Sequence, residues 1–337
     1  MQPSRLSLAL ESGALVLPVE GRVCVLRPRA GADLSALPKG RVEVVQGFRP
    51  DHDAFAVQGY ATGVVPSPGG FAAAVVCVPR AKAEARALVA IAAGVVAPGG
   101  PIAVDGRKSD GIDSLLRDLR AKVALGEALA KAHGKIAVFA NPGPGALADW
   151  AEGPPRRLPE GFVTRPAAFS ADGIDPGSAA LAAALPGKLP ARVADLGAGW
   201  GYLAAEVLKR EDVDEVHLVE AEHDALEAAR VNIGDPRARF HWADATRFTP
   251  DVRFGAVVMN PPFHSGREAD PGLGRAFIAA AARMLLPSGT LWMVANRHLP
   301  YERTLAGLFR EVVELPGPPA YKLCRATGPQ APSRPNR

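Results

Sequence analysis

Residues Arg192–Gly201 read RVADLGAGWG. A short apolar strand, Arg192–Leu196, runs straight into glycines at every second position, and a helix-forming stretch, Tyr202–Lys209, follows at once. Glycine suits such a turn because the backbone must reverse sharply and let a ligand approach without a Cβ in the way. The helix after Gly201 offers unpaired N–H groups and the positive end of its dipole to whatever lies in the turn. The alternation then continues. Strand Glu215–Glu220, helix Asp224–Asn232, strand Arg239–Trp242, strand Phe254–Met259, helix Gly274–Leu286, a turn at Pro287–Gly289 and strand Thr290–Ala295 follow in order. Strands and helices at this spacing predict a mostly parallel α/β sheet covered on both faces. The last two strands, Val312–Leu315 and Tyr321–Cys324, are joined too briefly for a helical crossover, so they form an antiparallel hairpin.

The first half echoes this pattern. From Phe71 it reads FAAAVVCVPRAKAEARALVAIAAGVVAPGGPIAV, and from Phe254 the second half reads FGAVVMNPPFHSG through LLPSGTLWMVA. Both give strand, proline-bearing turn, helix, P-x-G turn, strand, which points to an internal repeat. Where the second copy has Asn260-Pro261-Pro262-Phe263, the first has Cys77-Val78-Pro79-Arg80, and no glycine-rich loop follows its early strand, Val23–Arg27. The first copy has kept the fold and lost the chemistry. A stretch rich in Pro, Gly and Arg, from Asn141 to Gly161, reads as a linker with the boundary near Pro155. The expected organisation is therefore a degenerate domain over 1–155, a catalytic domain over 156–326, and a disordered polar tail over 327–337.

The chain has 337 residues, enough for two such domains. Its net charge of +4 and pI of about 9.1 lean towards a polyanionic partner such as RNA. Cys24, Cys77 and Cys324 are scattered without ligand spacing, so reduced thiols and no metal site are expected. The N-terminus lacks the apolar core of a signal peptide and no apolar run reaches transmembrane length, which predicts a cytoplasmic protein without a membrane partner.

Three features carry chemistry. The first is Asp195-Leu196-Gly197-Ala198-Gly199-Trp200-Gly201, with its acid two residues before the first glycine. An aspartate there would repel a pyrophosphate but suits a ligand with an ammonium group. S-adenosylmethionine carries an ammonium, a carboxylate and a sulfonium. The second is Glu220, ending the next strand about twenty residues on, where a carboxylate can accept both ribose hydroxyls. Glu222 and Asp224 are rivals, Asp224 also as a helix cap. Asp244 follows the third strand and reads equally as an acceptor for an adenine amino group or as a turn former.

The third is Asn260-Pro261-Pro262-Phe263-His264 at the end of strand Phe254–Met259. An aromatic amine is a poor nucleophile because its lone pair is delocalised. Methylating it requires acceptors for its hydrogens, and the Asn260 side chain with the Pro261 carbonyl supplies two at fixed separation. The two prolines stiffen the turn and remove competing donors. Phe263 offers a face for a base to stack on, worth about 1–3 kcal/mol. Asn260, between the two ligands, belongs to both the cofactor and the acceptor sets. His264 is open between a substrate contact, a proton acceptor and a loop cap. The segment FSADGIDPGS, from Phe169, reads as a helix start with Asp175 as N-cap and Pro176 as first helical residue, and its place before the cofactor strand suits a flap.

Together these motifs look like class I S-adenosylmethionine-dependent methyltransferases. The second half, from FSADGIDPGS through DLGAGWG, NPPFH and VANRHLPY to YKLCRA, resembles the bacterial ribosomal RNA guanine-N2 methyltransferases. Within them it is most similar to the ribosomal RNA small subunit methyltransferase C family, with the large-subunit enzymes as near relatives. KAEARALVA and DGRKSDGIDSLL resemble that family's N-terminal domain more weakly. The resemblance implies two tandem Rossmann-like methyltransferase domains, the first degenerate and the second with a seven-stranded sheet. It implies methyl transfer to a guanine N2 of 16S rRNA, with Asp195, Gly197, Gly199, Gly201, Glu220 and Asp244 towards the cofactor and Asn260, Pro261, Pro262 and Phe263 towards the base. Arg80, Lys82, Arg86, Arg107, Lys108, Arg117, Arg120 and Lys122 would then meet phosphates. A monomer is expected, since duplicated domains can pack on each other. A 23S guanine, an adenine N6 of DNA, a protein glutamine, or a non-catalytic role in ribosome assembly are the competing readings.

Overall fold

The computed structural model describes residues 4–165, 170–262 and 271–330. The chain divides into two compact units, Met1–Pro154 and Pro155–Arg337. In the first, β1 (Val23–Leu26), β2 (Val42–Val45), β3 (Ala61–Gly63), β4 (Ala73–Cys77), β5 (Pro101–Arg107), β6 (Leu129–Lys131) and β7 (Gly134–Ala140) form one sheet in the order β3-β2-β1-β4-β5-β7-β6. The second unit opens with a small hairpin, β8 (Arg156–Arg157) and β9 (Val163–Thr164). Its sheet holds β10 (Arg192–Leu196), β11 (Glu215–Glu220), β12 (Ala238–Trp242), β13 (Phe254–Met259), β14 (Leu285–Asn296), β15 (Phe309–Leu315) and β16 (Tyr321–Pro329), in the order β12-β11-β10-β13-β14-β16-β15. The two orders are the same walk through the sheet, so the internal echo is a repeated fold. In each unit the first five strands are parallel and the last two antiparallel.

Helices cover both sheets. Their spacing follows the apolar periodicity: in α4 (Ile112–Arg120) Ile112, Leu115, Leu116 and Leu119 are buried, a single stripe. The second unit uses α5 (Pro176–Ala184), α6 (Tyr202–Leu208), α7 (His223–Asn232), α8 (Pro271–Met284) and α9 (Glu302–Leu308), with α1 (Arg5–Glu11), α2 (Arg49–Val57) and α3 (Lys82–Val95) preceding α4 in the first. Separate apolar cores lie on the two faces of the second sheet, one around Val193, Val216 and Val258, the other around Leu196, Val257 and Met259. That is the packing of strands buried on both sides. No helix among the described residues is long and apolar enough to cross a membrane.

Three boundaries differ from the sequence expectation. Residues 144–150 are not free linker: they form a 3-10 turn that buries Leu147 and Trp150 against the first unit's core. At three residues per turn, those two side chains fall on one face. The turn Pro287–Gly289 sits inside β14 as an irregularity, because Leu285 already pairs with Phe254. The disordered tail does not start at 327. Thr327 pairs with Thr290 and Glu311, and Pro329 opposes Phe309 where the strand has only one neighbour, so its missing N–H costs nothing. Residues 331–337 lie outside the described residues.

Adjacent strands β11 and β12 carry His217 and His241 with rings stacked 5.0 Å apart and the His241 Nε2 3.0 Å from the His217 Nδ1. Burial lowers both pKa values. For His217 the Glu215 carboxylate, 3.7 Å away and beyond hydrogen-bond length, works against this; for His241 the neighbouring His217 and Arg230 add to it. A base whose folded pKa lies below its unfolded value stabilises the fold above the unfolded pKa, and that stability is lost as pH falls through the folded pKa. Urea denaturation at about pH 7.5 and about pH 5 should therefore show a smaller loss on acidification in His241→Phe than in the parent. An equal loss in both would mean that the pair does not titrate with unfolding.

Candidate active site

The turn after β10 is built as the glycine spacing demands. Gly197, Gly199 and Gly201 have φ of +73°, +55° and +91°. A Cβ on Gly201 would stand 2.8 Å from Ile233 Cδ1, whereas one on Gly199 would meet nothing within 4 Å. Gly201 is needed for close packing of the turn against α7 and its C-cap, and Gly199 borders open space. That space is a cleft lined by Gly197, Ala198, Gly199, Tyr202, Asp175 and Asn260 among others. A larger cleft, about 690 Å³, opens at the amino ends of the same strands. Its Arg237 and Arg253 are spent on main-chain carbonyls, and it holds none of the motif residues.

Asp195 is fully buried, and neither carboxylate oxygen has a hydrogen-bond partner among the described residues. Burial pushes its pKa up to about 7; the Ala204 amide, short of a full hydrogen bond, opposes this and the Glu220 charge adds to it. An orphaned buried carboxylate two residues before the first glycine has the chemistry to suit a cationic ligand group, although it is not among the residues that line the cleft. Glu220 turns its carboxylate onto the loop: Oε2 accepts from the Gly199 N–H at 2.8 Å and Oε1 from the Glu222 N–H at 2.8 Å. Burial raises its pKa, with the main-chain amides of Glu222, Gly199 and Ala221 opposing and the Glu222 charge adding to the rise. A carboxylate has about four acceptor positions, so two remain for a diol. Of its rivals, Glu222 is the residue before α7, and Asp224 lies in the first turn with its side chain 66% exposed. Asp244 does form the turn: its Oδ1 accepts from the Thr246 N–H and hydroxyl, leaving Oδ2 uncommitted among the described residues.

Asn260 ends β13, opposite the end of β10, since Leu196 pairs with Met259. Its Nδ2 donates to Asp175 Oδ2 at 2.8 Å and to Ser178 Oγ at 2.9 Å, while Oδ1 accepts nothing among the described residues. Pro261 is buried and Pro262 exposed. Phe263 and His264 lie outside the described residues. Asp175 is the N-cap of α5, accepting from the Ser178 N–H at 2.7 Å, so that much of the segment is as read. Its hold on Asn260, 85 residues on, and the hold of Asn232 on Val163, 69 residues back, leave no local signal in the sequence. The Asn232 amide bonds both main-chain groups of Val163 in β9 and the Trp200 carbonyl in the glycine turn, at 2.6–2.9 Å. The hairpin is thereby tied to the turn, and Phe162 packs on Trp200 with ring centroids 5.0 Å apart.

The first unit shows what losing these groups looks like. Leu26 pairs with Val45 and Val76 as Leu196 pairs with Val219 and Met259, which sets Val25, Arg27, Gln46 and Cys77 at the positions of Asp195, Gly197, Glu220 and Asn260. Even the turn bond is kept: Arg27 N–H to Val45 O and Gly197 N–H to Val219 O, both 2.8 Å. Arg27 holds the left-handed φ of +60° that glycine would take, and its guanidinium bonds Gln46 and Glu84 at 2.7 Å. Cys77 is a half-buried thiol whose pKa is raised by desolvation.

The family described as Methyltransferase small domain matches residues 160–325. Ribosomal RNA small subunit methyltransferase C of Shewanella oneidensis is 30% identical over 257 residues, 74% of this chain and 75% of that protein. The protein of the same name from Shewanella loihica is 29% identical over an equal span, with the same shares. A solved structure of the T. thermophilus 16S rRNA N2 G1207 methyltransferase, in complex with AdoMet and guanosine, superposes with a TM-score of 0.78 at 23% identity, covering 96% of this chain and 92% of that one. It shares the two-domain fold.

Proposed function

The chain belongs to the ribosomal RNA small subunit methyltransferase C family, and from that premise we propose that it transfers a methyl group from S-adenosylmethionine to the exocyclic N2 of a guanine in 16S rRNA. The observation that carries this reading is the Asn260 amide. Its Nδ2 is tied down by Asp175 and Ser178, and its free acceptor borders the cleft beside Gly197 and Gly199.

Asp195 would take the cofactor's ammonium, Glu220 the ribose hydroxyls and Asp244 Oδ2 the adenine amino group. When bound, S-adenosylmethionine supplies an electrophilic methyl group on its sulfonium. The protein's own contribution is to position the amine. Asn260 Oδ1 and the Pro261 carbonyl accept its two hydrogens, which turns the lone pair out of conjugation and fixes its direction. Pro261 and Pro262 keep the turn rigid and free of competing donors. Phe263 would stack on the base.

The first unit would contribute phosphate contacts. Lys82 and Arg86 are engaged by Asp118, and Lys122 by Asp149. Arg107, Lys108, Arg117 and Arg120 are exposed and form no ion pair among the described residues, so these are the better candidates. We take the protein to be a cytoplasmic monomer.

The test is transfer from labelled S-adenosylmethionine to purified 30S and 50S subunits that lack the modification. Incorporation into 30S that maps to one guanine N2 supports the proposal. Incorporation into 50S alone moves the substrate to 23S rRNA and keeps the chemistry. Cofactor binding without transfer to either refutes the ribosomal substrate.

A further inference from the structure

The Asn260 amide is nearly symmetric in shape, and a half-turn of its side chain exchanges an acceptor for a donor. Something must decide which end faces the methyl acceptor. We propose that Asp175, assisted by Ser178, is the positioning residue that sets this orientation and so makes the site select a hydrogen-bond donor over an acceptor. The inference rests on the reading of Asn260 as the group that receives the target amine.

The geometry is specific. A carboxylate oxygen can only accept, so the atom 2.8 Å from Asp175 Oδ2 must be the amide nitrogen. A flipped Asn260 would put two acceptor oxygens at that distance. Ser178 Oγ, 2.9 Å from the same nitrogen, takes its second hydrogen, so both amide hydrogens are satisfied by α5 and Oδ1 is left over. The negative charge on Asp175 also polarises the amide, which strengthens Oδ1 as an acceptor. Helix capping alone would need only the bond from the Ser178 N–H, and the same Oδ2 makes both. The neighbouring glycine is fitted to this arrangement: a Cβ on Gly177 would stand 3.0 Å from Asp175 Oδ2 and 2.9 Å from the Tyr321 ring.

The consequence is chemical. An NH₂ group finds a strong acceptor fixed in place, while a carbonyl or bare ring nitrogen at the same spot meets another acceptor and is rejected.

The variants separate capping from orientation. Asp175→Asn keeps an N-cap of equal quality and can accept both bonds through one oxygen. Asp175→Ser keeps a cap but is too short to reach Asn260. Full-length protein is assayed on 30S subunits lacking the modification, with thermal melting and S-adenosylhomocysteine affinity measured in parallel. Asp175→Ser should lower kcat about 10–100-fold with the melting temperature and S-adenosylhomocysteine affinity near the parent's, and Asp175→Asn should recover most of that loss. Ser178→Ala should cost less than Asp175→Ser. Adding Asp175→Ser to Asn260→Ala should cost about nothing further, because the two act through one group. Full additivity of the pair, or an Asp175→Ser enzyme with parental kcat while Asn260→Ala is inactive, would overturn the proposal. If Asn260→Ala itself keeps full kcat, the amine-acceptor reading fails first and the orienting role falls with it.

Discussion

Asn260→Ala should lower kcat for methyl transfer by about 10²–10³-fold, equivalent to about 2.7–4 kcal/mol, the range for deleting one preorganised hydrogen-bonding group from a water-excluded site. The loss should fall on kcat more than on KM. The bond to the amine matters most when the nitrogen gives up its conjugation and its hydrogens become acidic, which happens only as the new bond forms. S-adenosylhomocysteine affinity, measured by calorimetry, should change by no more than about tenfold, because the turn, Glu220 and Asp195 stay in place. Asn260→Asp is the sharper comparison. It keeps the size and adds an acceptor, but sets a second carboxylate against Asp175 Oδ2, which stands 2.8 Å from the Asn260 nitrogen. Like charges at that range either force protonation or expel the side chain, so this variant should be no better than alanine. If it were as active as the parent, the nitrogen end of Asn260 would have no structural duty, and Asp175 would not orient it.

How much of this could be read from the sequence depends on how local each signal is. The glycine turn was legible because its demands are local: three positions that must take left-handed φ, between a strand and a helix. The parallel sheet and its antiparallel end followed from connection lengths. Asp175 was legible as a cap for the same reason, since its partner is three residues away. Its second partner is 85 residues away, and no spacing rule links them. Asn232 holding Val163 across 69 residues was hidden in the same way. Trp150 was lost inside a stretch whose prolines and glycines spoke louder than its two apolar side chains. Thr327 was assigned to the tail because short polar strands look like loops until a neighbour pairs with them. The degenerate first unit was legible only as an absence of glycine. That Arg27 takes the left-handed position and pairs with Gln46 needs the register of β1 against β2.

Asp195 gives the other large effect, and its sign differs with and without the cofactor. Its pKa of about 7 in the fold lies above the ordinary 3.8. For an acid shifted upwards, the unfolded chain ionises first, so the fold loses stability as pH rises through the interval and the loss is complete above the folded value. The shift corresponds to about 4 kcal/mol. Without ligand, Asp195→Asn should thus be the more stable protein at about pH 8, by up to that amount, and the difference should close only near about pH 3, where Asp195 is neutral in the folded and the unfolded chain alike. Binding reverses the ranking. An ammonium beside the ionised carboxylate satisfies the charge that burial penalises, so the parent should bind S-adenosylhomocysteine about tenfold more tightly per pH unit gained between about pH 5.5 and pH 7. The variant should bind weakly with no such slope. Calorimetric titrations of both proteins across that range, with urea denaturation of the unliganded forms, measure the two signs independently. A parent-like slope in Asp195→Asn would assign the linked proton to another group. A variant that binds as tightly as the parent would remove the ammonium from Asp195, whose buried charge would then serve only the turn. A residue that weakens the empty protein and strengthens the loaded one is what a site must keep if ligand affinity, not fold stability, selects it.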